Sequence, residues 1–287
     1  MDHWPLLAGS PTTSNMRSCN AINDRRAASS GAAHRQISFG SSRARRGDVA
    51  LRAGREVLTS SQRTKLDLTS DGEFYRLPRF CNHCDDNFIR TQKAVYEQYL
   101  GALKPGKHVT VLDMASSHVS HMPESIMFDN RYTFVGHGMN AEELSRNPIF
   151  DRWFVRDFNA DPPSPTSPLP FKDESLDAVV CCCSIQYFQM PEQLFAELCG
   201  RCLKPGGILV VSFTNRAFWQ KAIGAWRNST EYGRVQLVKQ YCQAAGFSNV
   251  EEAKVSQPVD PPNLLERVTS LLQGRPNDPF YCVVATK

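Results

Sequence analysis

Long hydrophobic runs are missing from this sequence of 287 residues. No run approaches the roughly 18 apolar residues that are needed to cross a bilayer, so the sequence predicts no transmembrane segment. The start of the chain also lacks the apolar stretch of about 7–15 residues that marks a secretory signal peptide. Secretion is therefore not expected.

Lysine is absent from the first 60 residues, which contain nine arginines and only four acidic residues. The segment is rich in Ser, Ala and Gly and shows no hydrophobic periodicity. This composition is typical of organellar transit peptides, although an ordinary disordered tail has the same features. We expect residues 1–60 to be a disordered targeting segment. Composition alone does not decide between chloroplast and mitochondrion.

The rest of the chain has no excess of either charge. Residues 61–287 contain 24 basic and 25 acidic residues, so the formal net charge of +4 comes from the first 60 residues. A nucleic-acid-binding domain would show clustered basic residues, and the sequence shows no such cluster. We expect no nucleic acid partner.

Paired metal ligands are scarce, although the chain has ten cysteines. Residues 181–183 are consecutive cysteines in an apolar run, where Cys behaves as a small hydrophobe, so a reducing compartment is expected rather than a disulfide framework. Cys81 and Cys84 have no second pair at zinc spacing, and no metal is expected. Cys199 and Cys202 come at the end of a predicted helix, where no dipole stabilises a thiolate, and we expect them to pack in the core.

The most informative stretch is 171–215. An apolar run over 176–183 is followed by a helical pattern, by the turn KPGG at 204–207 and by a second apolar run over 208–213. Both runs are apolar on successive residues, as strands buried on both faces of a parallel sheet require. The stretch therefore predicts a β-α-β unit.

The same reading along the chain predicts one α/β domain over residues 61–287, with a doubly wound, mostly parallel sheet of seven strands and helices on both faces. Strands are expected at 109–114, 132–136, 153–158, 176–183, 208–213, 250–255 and 280–286. Helices are expected at 88–103, 141–146, 217–226, 231–245 and 264–272, the first capped by Asp85 or Asp86.

Ligands of doubly wound sheets bind outside the carboxyl ends of the strands. This rule selects the turns that follow four of the predicted strands. They are residues 113–117, 137–140, 157–159 and 183–187.

Several phrases carry a family resemblance. The sequence LPFKDESLDAVV, a following helix and LKPGG resemble the fourth and fifth strands of class I S-adenosylmethionine-dependent methyltransferases, the methyltransferase type 11 group in particular. FYRLPRF, VLDMASSHVSHMPE, GHGMNAEELSRNP and SFTNRAFWQKAIGAW resemble a plant and algal group that is largely chloroplast-targeted. The resemblance implies an antiparallel last strand, S-adenosylmethionine as cofactor, a small-molecule or protein methyl acceptor, and the chloroplast rather than the mitochondrion.

In that family the first turn passes under the amino-acid part of the cofactor, the second holds the ribose and the third holds the adenine. Asp157 suits the third role as an acceptor for the adenine amino group beside the Phe158 ring, although it can equally cap a turn. The cofactor-binding candidates are Asp113, Ala115, Ser116, Ser117, Gly136, Asn140, Asp157, Phe158, Asn159, Cys183 and Ser184.

The sequence departs from the family pattern VLDxGxGxG and from the ribose-binding acid. Ala115, Ser117 and Val119 occupy the glycine positions, and Gly138 occupies the acidic position. We expect the hydroxyls of Ser116 and Ser117 to hold the cofactor carboxylate. Asn140 or Glu142 is expected to offer a substitute hydrogen bond to the ribose.

Candidate proton acceptors are His118, His121 and Tyr187, although a structural role for the histidines fits the sequence equally well. Candidate substrate-binding residues after the fifth predicted strand are Asn215, Arg216 and Trp219. An arginine there can clamp an acidic substrate or form a surface salt bridge.

Methyl transfer from S-adenosylmethionine is the favoured function. One rival is a non-catalytic binding or scaffold protein that kept the fold but has a degenerate cofactor site. A nicotinamide-dependent reductase is disfavoured because no G-x-G-x-x-G follows the first predicted strand.

Overall fold

The computed structural model describes residues 35–36, 55–103, 106–254 and 278–287. Within these residues one sheet contains eight strands, which we number along the chain. They are β1 (Arg35–Gln36), β2 (Val109–Asp113), β3 (Tyr132–Gly138), β4 (Arg152–Val155), β5 (Leu176–Cys182), β6 (Leu203–Phe213), β7 (Asn249–Glu252) and β8 (Tyr281–Thr286).

The α-helices of the described residues are α1 (Asp71–Phe74), α2 (Asp86–Gly101), α3 (Glu124–Met127), α4 (Ala141–Ser145), α5 (Pro191–Glu197), α6 (Gly224–Arg227) and α7 (Glu231–Ala244). Asp85 caps α2 by accepting a hydrogen bond from Phe88 N at 2.8 Å, and Thr230 caps α7 through Gly233 N. A π-helical turn over Leu198–Cys202 continues α5. None of the helices in these ranges combines the length and the apolar character that a membrane span needs.

The strand order across the sheet is β1-β4-β3-β2-β5-β6-β8-β7. Strands β1 to β6 pair in parallel, whereas β8 is antiparallel to both of its neighbours, β6 and β7. The order reverses direction between β2 and β5, which is the switch point where doubly wound folds bind ligands. The predicted fold class is confirmed, including the antiparallel last strand.

Both faces of the sheet are buried, so adjacent residues of a strand, which point to opposite faces, pack into different cores. Val111 and Phe134 pack on one side, while Leu112 and Val135 pack on the other, and all four are fully buried. The core that contains Leu112 and Val135, which we call the first core, includes residues of α5 and α7, and the core that contains Val111 and Phe134 includes residues of α2 and α3. The successive apolar residues of the strands are thus explained by helices on both faces. Cys199 and Cys202 are buried in the first core, as expected.

Two local predictions were wrong. The helix expected over 217–226 is reduced to the short α6, because Lys221 is buried against Asp67 and Asp71, and Gly224 lies against the backbone of residues 61–62. The KPGG turn lies within β6, where it forms an irregularity in the pairing with β5. The helix expected at 264–272 lies outside the described residues.

The packed domain begins before residue 61. Leu58 is only 3% exposed and belongs to the core, and the backbone N–H groups of Val57 and Leu58 both donate to Glu192 Oε1, at 2.8 and 2.9 Å. Arg63 forms an ion pair with the same carboxylate. In addition, β1 adds an edge strand to the sheet from within the segment that the sequence predicts to be disordered.

Candidate active site

A cavity lies at the carboxyl edge of the sheet, where the turns after β2, β3, β4, β5 and β6 meet. The turns selected from the sequence contribute most of its sheet-side wall. Of the predicted site residues, the cavity is lined by Asp113, Ala115, Ser116, Ser117, His118, His121, Asn140, Asp157, Phe158, Asn159, Cys183, Ser184, Tyr187 and Arg216.

The opposite wall comes from residues 65–84, which we call the strap. Asp71 is buried in this wall and accepts hydrogen bonds from Lys65 Nζ at 2.5 Å and from Asn159 Nδ2 at 2.7 Å. Lys221 Nζ lies 3.5 Å from the same carboxylate. Because these charged groups are buried and paired, removing one of them would leave an uncompensated charge. The strap is thereby fixed to the turn after β4 and to the segment after β6.

Arg79 attaches the far end of the strap. Its guanidinium lies over the rings of Phe74 and Phe218, at 4.7 and 5.5 Å from the ring centroids. Its backbone N–H donates to Glu143 Oε1 at 2.6 Å. The sequence analysis did not place the strap in the site. No local sequence motif shows that this segment packs over the carboxyl ends of strands that come much later in the chain.

At the first glycine position of the family pattern, the turn after β2 has a left-handed backbone but no glycine. Ala115 has a φ of 55°, in the left-handed region that a side chain makes costly. The turn is held by Ser116 N, which donates to His137 O at 2.7 Å, and by Ser184 Oγ, which donates to Ala115 O at 3.0 Å. The neighbouring strands therefore impose the backbone conformation that glycine would adopt freely.

The two serine hydroxyls of this turn donate to carboxylates of the protein itself. Ser116 Oγ donates to Asp113 Oδ2 at 2.8 Å, and Ser117 Oγ donates to Glu143 Oε2 at 2.6 Å. In this structure neither hydroxyl has a proton left for a cofactor carboxylate, contrary to our expectation. Burial raises the pKa of Asp113 to about 7, so this carboxyl group is close to half protonated at neutral pH.

One of the two expected replacements for the ribose-binding acid, Asn140, has its hydrogen bonds committed within the protein. Asn140 Oδ1 accepts from Glu142 N and Glu143 N as the N-cap of α4, and its Nδ2 donates to Tyr75 O and Arg76 O. All four hydrogen bonds of the side-chain amide are made within the protein. Asn140 therefore caps α4 and anchors the strap.

Gly138 is required by a close approach. A Cβ atom at this position would collide with Ser116 O, so the turn after β2 occupies the place of a side chain. The acidic group at this end of the cavity is instead Glu143, which is 8% exposed and lines the cavity. No sequence pattern distinguishes this residue from an ordinary helix glutamate. Gly136, a predicted cofactor residue, does not line the cavity, and its missing Cβ makes room for the Phe150 ring.

The turn after β4 matches the predicted adenine end most closely. Asp157 Oδ1 accepts from Asn159 N at 2.9 Å and from Ala160 N at 3.2 Å, so the carboxylate does cap a turn. Its Oδ2 has no hydrogen-bond partner in the described part of the chain. The Phe158 ring lies next to it in the cavity wall. Asn159 is a structural residue, because its amide bonds Asp71, Tyr187 O and Gln189 N.

His137 begins one of the turns selected from the sequence but was not a named cofactor-binding candidate, and its ring contacts both the turn after β2 and the turn after β4. Its Nδ1 accepts from Ala115 N at 3.0 Å, so the proton lies on Nε2, which donates to Arg156 O at 2.9 Å. Its ring stacks on Phe158 at a centroid distance of 4.0 Å. Burial lowers the pKa of His137 to about 4, so the ring is neutral at physiological pH.

The candidate proton acceptors differ in their chemistry. Burial lowers the pKa of both His118 and His121 to about 4, so both rings are neutral above pH 5. Burial raises the pKa of Tyr187, and its hydroxyl accepts a hydrogen bond from Phe218 N at 2.9 Å. A protonated phenol is not a base, so Tyr187 positions the segment after β6 instead.

The predicted substrate residues are separated. Asn215 and Trp219 do not line the cavity, since Asn215 donates to Glu231 and the Trp219 side chain is 49% exposed. Arg216 does line it, and its guanidinium forms an ion pair with the buried Asp278. Arg216 therefore forms a salt bridge, but with a buried partner and not at the surface.

The cavity walls carry charges of both signs, since Arg79, Arg156 and Arg216 line them as well as acidic residues. Four carboxyl groups line the cavity, those of Asp71, Asp113, Glu143 and Asp157. Asp71 is neutralised by two lysines, whereas Asp157 keeps one oxygen unpaired within the described residues. S-adenosylmethionine carries a sulfonium, an ammonium and an adenine amino group, and all three are attracted by carboxylate oxygens. The residues present fit this cofactor at its adenine end. At its amino-acid end lies the turn after β2, whose serine hydroxyls donate to carboxylates of the protein as described above.

Comparisons with known proteins agree with this geometry. Residues 156–211 match the family model of a methyltransferase domain. The chain is 34% identical over 88 residues to the biotin biosynthesis bifunctional protein BioHC of Teredinibacter turnerae, a match that covers 29% of this chain and 15% of that protein.

Two solved structures that match part of the chain are more distant in sequence. A SAM-dependent methyltransferase from Archaeoglobus fulgidus is 12% identical, with a TM-score of 0.44 and coverage of 69% of this chain and 94% of that one. The Haemonchus contortus phosphoethanolamine N-methyltransferase 2 with S-adenosyl-L-methionine is 14% identical, with a TM-score of 0.43 and coverage of 69% and 52%. The match to a methyltransferase domain begins just after β4 and ends within β6, and it supports an enzyme with S-adenosylmethionine as its cofactor.

Proposed function

We propose that this chain transfers a methyl group from S-adenosylmethionine to a small molecule or a protein side chain. The observation that carries the proposal is the cavity at the carboxyl edge, in which Asp157 has a carboxylate oxygen unpaired within the described residues, beside the Phe158 ring. That wall belongs to the segment that matches the methyltransferase domain.

The cofactor supplies an electrophilic methyl group on a sulfonium when it is bound. The protein's part is to hold the adenine at Asp157 and Phe158, to surround positive charge with Asp113 and Glu143, and to exclude water. Exclusion of water is the role of the strap, which Asp71 anchors to the opposite wall by buried hydrogen bonds.

A chain of hydrogen bonds assigns the protons around His118. Because Ser117 Oγ donates its only proton to Glu143, it must accept from His118 Nδ1, which lies 3.2 Å away. The lone pair of the neutral ring is then on Nε2. His118 is the residue in the cavity that this arrangement prepares to accept a proton from a methyl acceptor.

A non-catalytic binding protein is the second candidate. It is favoured by the turn after β2, where Ser116 and Ser117 donate to Asp113 and Glu143 and where the turn occupies the side-chain position of Gly138. On this interpretation the cavity would take another ligand and would not release S-adenosylhomocysteine as a product.

Calorimetry and thermal shift on the full chain test the proposal directly. We expect S-adenosylmethionine and S-adenosylhomocysteine to bind with micromolar affinity and to raise the melting temperature, whereas nicotinamide cofactors should have no effect. No response to either compound at millimolar concentration would favour the non-catalytic protein.

We also propose that residues 1–60 are a targeting segment, in line with their arginine-rich, lysine-free composition, and that they direct the protein to the chloroplast, in line with the resemblance to a largely chloroplast-targeted group. A fluorescent protein fused to this segment should accumulate in chloroplasts. Accumulation in mitochondria would identify the alternative organelle, and a cytosolic signal would refute targeting.

A further inference from the structure

Two thiols face each other across the cavity. Cys84 Sγ, at the end of the strap, lies 3.3 Å from Cys183 Sγ, in the turn after β5. Both residues line the cavity, and 99 positions separate them in the sequence. Cys183 is one of the cofactor-binding candidates named from the sequence, whereas Cys84 is not part of any predicted site.

Both thiols are held in place by their backbones. Cys183 has a φ of 52°, and its N–H donates to Ser212 O on β6 at 2.8 Å. Cys84 precedes Asp85, whose N–H donates to Asp278 Oδ2 at 2.8 Å and whose Oδ2 accepts from Asp278 N at 2.7 Å. A disulfide requires a sulfur separation of about 2.0 Å, so the two sulfur atoms must approach by only about 1 Å. The two sulfur atoms are thus already in contact.

We propose that Cys84 and Cys183 form a reversible disulfide that blocks binding of the cofactor. The blocking part rests on the proposed function, because it assumes that the cavity binds S-adenosylmethionine. The oxidant is a low-molecular-weight disulfide such as oxidised glutathione. The link would fix the strap to the turn after β5, next to the predicted cofactor residue Ser184.

The reaction proceeds by two thiol exchanges. Hydrogen bonds to the thiols of Cys182 and Cys84, together with burial, raise the pKa of Cys183, so Cys84 reacts first. Its thiolate attacks one sulfur of the small disulfide, forms a mixed disulfide and releases one small thiolate, which takes up a proton. The Cys183 thiolate then attacks the Cys84 sulfur and releases the second small thiol. Two protein thiols are oxidised, and one small disulfide is reduced to two thiols.

The full chain is equilibrated in buffers of reduced and oxidised glutathione, and free thiols are then blocked with N-ethylmaleimide and mapped by mass spectrometry. We expect a linked peptide pair that contains Cys84 and Cys183, lost on treatment with dithiothreitol. Cys84→Ser and Cys183→Ser should abolish the link. The matched variants Cys81→Ser and Cys182→Ser, which replace the neighbouring thiols, should retain it.

Binding of S-adenosylhomocysteine is then measured in both redox states. Oxidation should weaken it at least tenfold in the wild type and in Cys81→Ser, and should leave it unchanged in Cys84→Ser. Thiols that stay free in oxidising buffer, a link through Cys182, or equal affinity in both redox states would each overturn the proposal. If the reduced protein binds no S-adenosylhomocysteine, the proposed function fails, and the thiol map alone still decides whether the disulfide forms.

Discussion

Replacement of Asp113 by asparagine should make the protein more stable than the wild type, and the difference in the free energy of unfolding should grow as the pH rises. The carboxyl group is 3% exposed at the end of β2, and burial raises its pKa from 3.8 to about 7. The folded state therefore keeps a proton that the unfolded chain releases above pH 4. The stability associated with this proton is fully present below about pH 3.8 and is lost as the pH rises to about 7.

The size of the effect follows from the shift. Each unit of pKa difference corresponds to about 1.4 kcal/mol, so the wild type loses roughly 4 kcal/mol from this group by pH 8. The amide of the substituted side chain would mimic the protonated acid and could still accept the Ser116 hydroxyl. We therefore expect Asp113→Asn to exceed the wild type by about 4 kcal/mol at pH 8 and by about 1–2 kcal/mol at pH 5.

Urea denaturation at pH 5, 6 and 8 measures this difference. The buried histidines titrate alike in both proteins, so their contributions cancel in the comparison. Asp129→Asn is the matched control, because hydrogen bonding from Arg131 lowers the pKa of Asp129 and its effect should not vary between pH 5 and 8. A stability difference for Asp113→Asn that is equally independent of pH would refute the reasoning.

Three further substitutions and one NMR measurement test the site. Asp157→Ala should weaken binding of S-adenosylhomocysteine by about 1–3 kcal/mol in calorimetry, while Asp173→Ala, on the exposed surface, should not. Ala115→Gly should raise the free energy of unfolding by about 0.5–1 kcal/mol, since it relieves a left-handed backbone at the cost of chain entropy, and a decrease would contradict this. Asn140→Ala should lower the free energy of unfolding by about 1–2 kcal/mol through loss of the α4 cap, and an unchanged melting curve would show that the cap is dispensable. NMR should find the His118 ring neutral at pH 6 with its proton on Nδ1, and a pKa above 6 would exclude the proposed hydrogen-bond chain.

The central strands were predictable because the information that defines them is local. β5 and β6 are apolar on successive residues and are bounded by turn residues. Successive apolar residues in a strand indicate a sheet that is covered by helices on both faces. The position of the site followed from the same reasoning, since parallel strands bring the residues after their carboxyl ends to one edge. Asp113, Asp157 and Phe158 were found in this way.

The partners of those residues could not be predicted. Ser117 is a hydroxyl beside a predicted ligand site, and only the fold shows that Glu143, 26 positions later, takes its proton. Likewise Asn140 is committed to the strap carbonyls of Tyr75 and Arg76, 64 or more positions earlier. The hydrogen-bond partner of a polar side chain is the complementary group that the fold places next to it. A local sequence pattern does not contain that information.

The Glu192 carboxylate sets a limit to how far the chain can be trimmed by a protease. It accepts the backbone N–H groups of Val57 and Leu58 and pairs with Arg63, while it is 3% exposed. A cut after Glu56 would turn the amide of Val57 into a charged amine, still compatible with this acceptor. A cut after Leu58 would delete a core side chain and both donors, and would leave Arg63 as the remaining partner of a buried charge. If an import peptidase removes the leader, the mature amino terminus must therefore lie at or before Val57, and β4 becomes an open sheet edge whenever β1 is removed with it.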